Sequence, residues 1–193
     1  CRSHPRNHAY WLDYYLQIIT ALNKDSTLCH KDALDAMNVV TVTYWEDRRY
    51  AEAVTFYKVL WTTFVRETKQ HKIFTDVKFV EQLYDRYYQC LEETKASWSD
   101  LHKVTKEYRE TAIATFGAES SIAVNATLSL AKVSESSEQH LSEAIALYEA
   151  ASKSGKQVTT TTTVTEINQA LSSLYHKQIH SSSSTHIKAE VVQ

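Results

Sequence analysis

Over residues 8–22, "HAYWLDYYLQIITAL", apolar side chains return at steps of three and four: Trp11, Tyr14, Tyr15, Ile18, Ile19 and Leu22. That spacing collects them on one side of an α-helix, whereas a half-buried strand would alternate. The same periodicity predicts helices over 32–46, with Leu34, Met37, Val40, Val42 and Tyr44, then over 50–70, 79–93, and from 98 or 101 to 116. Two more follow in "AESSIAVNATLSLAKVSE" and "SEQHLSEAIALYEAASK", and a last one over 164–180. Polar breaks separate them. Pro5 precedes the first, Ser26 or Thr27 can cap the second, and "EDRR" reads as a solvated corner. "TKASWSD" ends the fourth, Gly117 suits a left-handed helix end, and Ser154 with Gly155 closes the seventh. The threonine run in "QVTTTTTVTE" is β-branched and reads as a loop, with an extended strand over 158–164 as the alternative; "SSSSTHIKAEVVQ" reads as a flexible tail.

The second helices share a signature. Tyr50, Ala53, Tyr57 and Leu60 have the same internal spacing as Leu101, Val104, Tyr108 and Thr111, and as Leu141, Ala144, Tyr148 and Ala151. Upstream of each stand Met37 and Val40, Tyr88 and Leu91, and Leu128 and Ala131. One helical hairpin is being reused. A lone hairpin cannot bury both sides of its apolar stripe, so each copy must lean on the next and share a continuous core. Small residues such as Ala53 and Ala144 let paired helices approach closely, and the aromatic residue one turn on fills the space between pairs.

The set Met37, Val40, Tyr44, Ala53 and Tyr57 resembles the tetratricopeptide repeat, a helix-turn-helix motif. The copies step by 51 and then 40 residues, from Ala53 to Val104 to Ala144, longer than that repeat's usual 34. In this the chain is similar to the kinesin-light-chain style of the family and to segments of large fungal proteins of that kind. The resemblance covers 31–152. It departs in Thr41, Glu92 and Lys132, where the family often has glycine, in Val104 for the small residue, and in lacking the closing proline; a HEAT or armadillo arrangement therefore stays open.

What the resemblance implies is an all-α fold, a right-handed α-solenoid of stacked antiparallel hairpins. Residues 1–30 would hold the second helix of a truncated repeat, followed by repeats at 31–78, 79–118 and 119–157, a threonine-rich loop and terminal helix at 158–180, and a tail at 181–193. A peptide or partner protein would lie on the concave face formed by the first helices. There the resemblance places Asp35, Asn38, Val42 and Trp45, then Arg86, Gln89 and Glu93, then Ser129. Three further readings compete with this one: a structural or sensor segment joined to a nucleotide-driven switch, a self-association module, and an enzyme without a familiar motif.

Composition narrows the field. Two glycines and one proline in 193 residues leave almost no positions for tight β-turns or a glycine-rich phosphate loop. A formal net charge of −2, with both signs interspersed, gives no broad positive field for nucleic acid. No apolar run is long enough to span a membrane, and the opening residues lack a secretory signal's apolar core. Cys1, Cys29 and Cys90 are odd in number and widely spaced, which favours reduced thiols and a cytoplasmic protein. The absence of an initiator methionine suggests a fragment of a longer chain.

Catalytic chemistry finds little support. His4 with His8, and Cys29 beside His30, carry no metal-ligand motif, and His176, His180 and His186 lie in or near the predicted tail. Glu92 with Glu93, and Glu107 with Glu110, read as solvated helix faces; Ser120 and Ser121 lack the strand and glycines of a nucleophile elbow. The glycosylation triplet at Asn125 falls inside a predicted helix. No enzyme, metal or cofactor is expected. Twelve tyrosines and four tryptophans are heavy for the length and read mostly as core, with polar tips at the surface, Trp45 foremost.

Overall fold

The computed structural model describes residues 8–24, 30–71, 76–154 and 161–190. Among the described residues the chain is all-helical: α1 (His8–Lys24), α2 (His30–Glu46), α3 (Tyr50–His71), α4 (Val77–Glu93), α5 (Trp98–Phe116), α6 (Ser121–Glu135), a 3-10 turn (Glu138–His140), α7 (Leu141–Ser154) and α8 (Thr161–Glu190). The periodicity therefore located every helix. The last one differs: it starts three residues before Val164 and runs through the serine run to Glu190, where a tail was predicted. Serine and threonine are only middling helix formers, but 161–190 contains neither glycine nor proline, the residues that stop a helix outright. The strand alternative fails from Thr161 onward. Pro5, Ser26, Thr27 and Gly155 lie outside the described residues.

Two compact units divide the chain, Cys1–Leu101 and His102–Gln193. The boundary falls within the segment 79–118 that the repeat register groups as one hairpin.

In the first unit, α2 and α3 form an antiparallel hairpin, with the Tyr44 and Phe56 ring centroids 4.8 Å apart. The corner is built by two backbone bonds, Arg49 N to Tyr44 O and Arg48 N to Trp45 O, both 3.0 Å, with Arg48 in the left-handed region at φ 56°. This is a Schellman ending without the usual glycine. The corner is solvated as expected, with Glu46, Asp47 and Arg48 exposed, and the partly exposed Arg49 guanidinium lies 4.7 Å from the Tyr44 ring centroid and pairs with Glu52 at 2.6 Å. The α3–α4 seam is a run of rings. Tyr57 stacks on Tyr87 at 5.8 Å, Trp61 meets Tyr84 at 6.3 Å, and Phe64 meets Phe79 at 6.2 Å, an order that makes these two helices antiparallel. Asp76 caps α4, its carboxylate accepting from Lys78 N and Phe79 N. At the other end Lys95, φ 54°, repeats the Schellman geometry of Arg48.

The second unit packs smaller residues. Its core joins Val124, Leu130 and Ala131 of α6 to Leu141, Ala144, Ile145, Tyr148 and Ala151 of α7, with Ile167 and Leu174 of α8 closing it. Ser120 caps α6 by accepting from Ala123 N at 3.4 Å, while its hydroxyl donates to Gly117 O at 2.7 Å. Gly117 has φ +88° and ends α5 as its position suggested. Tyr148 donates to Glu135 at 3.3 Å across the α6–α7 pair. Arg109 Nε donates to Thr127 Oγ1 at 3.1 Å, joining α5 to α6.

Burial tests the repeat register. Tyr57, Tyr108 and Tyr148 are all buried, as are Ala53, Val104 and Ala144. Yet Tyr57 and Tyr148 are each the eighth residue of their helices and Tyr108 the eleventh, so the middle copy sits almost a turn further along. In the first helices the pairing of Met37 with Tyr88 and Leu128 is off by one residue. Tyr88 and Leu128 are only half-buried, whereas Leu34, Met37 and Thr41 match Tyr84, Tyr87 and Leu91, then Val124, Thr127 and Ala131, all nine buried. Tyrosine is amphipathic, and three apolar-looking neighbours at 87, 88 and 91 leave the phase of α4 ambiguous in sequence.

Candidate functional site

Three of the predicted groove residues meet in the first unit. Trp45 stands in the last turn of α2, where the Schellman corner fixes the chain, and its indole Nε1–H donates to Gln89 Oε1 of α4 at 2.9 Å. One turn back on α4, the Arg86 guanidinium covers the same ring, 5.2 Å from its centroid. A cation over an indole face is worth about 0.5–1 kcal/mol where solvent reaches it. All three side chains are half-buried, so the cluster keeps a side open to solvent. The register that suggested Arg86 and Gln89 is one residue out, but helix α4 still turns these two toward Trp45.

The remaining predicted residues are less closely joined. Asp35, Asn38 and Val42 are half-buried along α2, and Glu93 is exposed at the end of α4. The Asn38 Oδ1 is buried and accepts no hydrogen bond. A buried carbonyl left without a donor costs about 1–3 kcal/mol. Ser129 is half-buried on α6, in the second unit. The α4 face bears further polar groups. Burial and then the nearby Glu81 raise the Asp85 carboxyl, and burial and then Glu92 raise the Tyr88 phenol. Cys90, fully buried, has its thiol pushed up to about 12 by burial and then by Glu93, which makes it a packed and inert group.

A second constellation escaped the sequence reading. His102, early in α5, places Nε2 3.1 Å from Glu143 Oε2, and His140, in the 3-10 turn, places Nδ1 3.0 Å from the same oxygen. The imidazole centroids are 5.3 Å apart, and Ser134 Oγ donates to Glu143 Oε2 at 3.4 Å. Burial raises the Glu143 carboxyl, but hydrogen bonds and charge from His140 and His102 outweigh it and leave the group below its ordinary value. His140 and Glu143 are three apart at a helix start, a weak local signal. His102 comes from another helix, and no spacing rule would have added it.

The other residues weighed for chemistry stay ordinary. Ser120 is committed to its cap, Asn125 is exposed within α6, and His176 is exposed on α8. His4, Cys1, Cys29, and the side chains of His8, His30, His180 and His186 lie outside the described residues. Among the described residues no helix is long and apolar enough to cross a membrane. No protein-family model matches the chain, and a comparison with curated proteins finds no relative.

Proposed function

We propose that this chain is a non-catalytic interaction scaffold, a tetratricopeptide-like solenoid segment that takes an extended peptide or a partner protein against the face of α2 and α4. The observation carrying this is the Trp45–Gln89–Arg86 cluster. An extended backbone needs alternating donors and acceptors, and Asn38 and Gln89 offer amides at that face while Arg86 offers charge for a carboxylate. Trp45, already pinned by a hydrogen bond and a cation, provides apolar area at little further entropic cost. Asp35, Val42 and Glu93 lie on the same two helices, whereas Ser129 belongs to the second unit and is not part of this cluster. The test is a display-selected peptide titrated against the chain and against Asn38→Ala, Arg86→Ala and Gln89→Ala. Losses of about tenfold or more in affinity are expected; equal binding by all three variants overturns the assignment.

Self-association is the second reading, favoured by the apolar side chains of Tyr10, Leu16 and Val39, exposed by 61%, 53% and 67% on α1 and α2. Light scattering separates the two. A concentration-dependent dimer abolished by Val39→Asp supports association, and a monomer at all concentrations removes it.

A further inference from the structure

We propose that the second unit carries a transition-metal site formed by His102, His140 and Glu143. Their ligand atoms all lie within 4.8 Å of one another. Around a tetrahedral zinc ion with bonds of about 2.0–2.1 Å, neighbouring donor atoms stand about 3.3–3.5 Å apart. The two imidazole nitrogens are 3.1 and 3.0 Å from Glu143 Oε2, so a cation could enter with side-chain shifts of well under a helical turn. Three donors converge on that one oxygen, His102, His140 and Ser134, an arrangement that holds the Glu143 carboxylate in its charged, ligating form.

The donor set selects the ion. Two imidazoles and a carboxylate suit zinc, cobalt, nickel or copper, whereas magnesium and calcium prefer oxygen throughout. On binding, each histidine turns a lone pair to the metal: His102 through Nε2 with its hydrogen on Nδ1, His140 through Nδ1 with its hydrogen on Nε2. Neutral imidazoles do this by changing tautomer without net proton loss, and an imidazolium releases one proton. The side chains are partly exposed, at 15%, 34% and 35%, so an open position remains for water or an outside ligand. Bound metal would tie α5 to the start of α7. That role is independent of peptide binding in the first unit.

Zinc and cobalt(II) titrations of the metal-stripped full chain test this. Expected are one ion per chain with micromolar or tighter affinity, visible cobalt bands of a four-coordinate nitrogen and oxygen site, and a zinc-dependent rise in Tm. His102→Gln, His140→Gln and Glu143→Gln should each weaken binding by about tenfold or more, and His176→Ala should not. Where a variant unfolds, imidazole NMR of the wild-type chain gives the assignment: zinc must shift His102 and His140 together. Binding that survives all three changes, zinc-induced shifts confined to other histidines, or millimolar affinity overturns the proposal.

Discussion

The two units fill their hairpins in opposite ways. In the first, rings do the packing: Tyr44, Phe56, Tyr57, Trp61, Phe64, Tyr84 and Tyr87 are all buried, and many touch one another. In the second, Ala123, Ala126, Ala131, Ala144 and Ala151 are buried, with Tyr148 the single aromatic residue of the α6–α8 core. Large interlocking rings leave a large hole when one is removed, whereas close-set alanines leave no room when one is enlarged. A shared hairpin pattern is thus compatible with two different tolerances to substitution.

The sharpest way to break this comparison is to exchange the two kinds of error. Trp61 is only 2% exposed and contacts Phe64, Tyr84 and Tyr87. Trp61→Ala should cost about 3–5 kcal/mol, the transfer loss and cavity together. Ala144, with no exposure at all, should suffer from gain: Ala144→Leu is expected to cost about 1–3 kcal/mol through displaced neighbours. Urea melts followed by tryptophan fluorescence for the alanine variant's remaining indoles, and by circular dichroism for both, give the two values. If Ala144→Leu is neutral, the α6–α7 seam is looser than its burial indicates.

Helix ends give a finer contrast. Lys95 in the first unit and Gly117 in the second both hold positive φ, 54° and 88°. Nothing lies within 4 Å of a Cβ built on Gly117, so Gly117→Ala is penalised by backbone strain alone, about 1 kcal/mol. Lys95→Gly should have the opposite sign, a gain of a few tenths to about 1 kcal/mol, because glycine removes the strain while adding unfolded-state entropy. Thermal melts of the two variants with matched controls decide it. Equal signs would show that the corner geometry at Lys95 is not what limits it.

Helix positions were legible because apolar steps of three and four survive any aromatic substitution. Helix phase was not: "LYDRYYQC" offers Leu83, Tyr84, Tyr87, Tyr88 and Cys90 as core, and only tertiary contacts leave Tyr88 half-buried. The Schellman corners at Arg48 and Lys95 were hidden for a related reason, since glycine is the signal for such endings and neither has one. At the candidate site, Trp45 could be singled out by its place beside Tyr44 and the polar corner, but its bond to Gln89 spans 44 residues and is set by how α2 and α4 meet. The His102–His140–Glu143 group belongs to the same category. Convergence of residues from separate helices leaves no spacing to read.

The smallest predicted effect belongs to that group. With its folded-state carboxyl lowered, Glu143 contributes stability that is fully present above the ordinary carboxyl value of 4.5 and is lost as pH falls through the folded-state value. Burial opposes this, and hydrogen bonds from His140 and His102 overcome it, so removing the carboxylate charge should remove the dependence. In metal-free protein, the Tm difference between wild type and Glu143→Gln should therefore be largest near about pH 6 and shrink toward about pH 3. The side chain is 35% exposed, so solvent and salt screen the interaction, and the whole effect should diminish in high salt. A Tm difference independent of pH would mean that Glu143 supports α7 by packing and capping alone, with the two imidazoles adding nothing through charge.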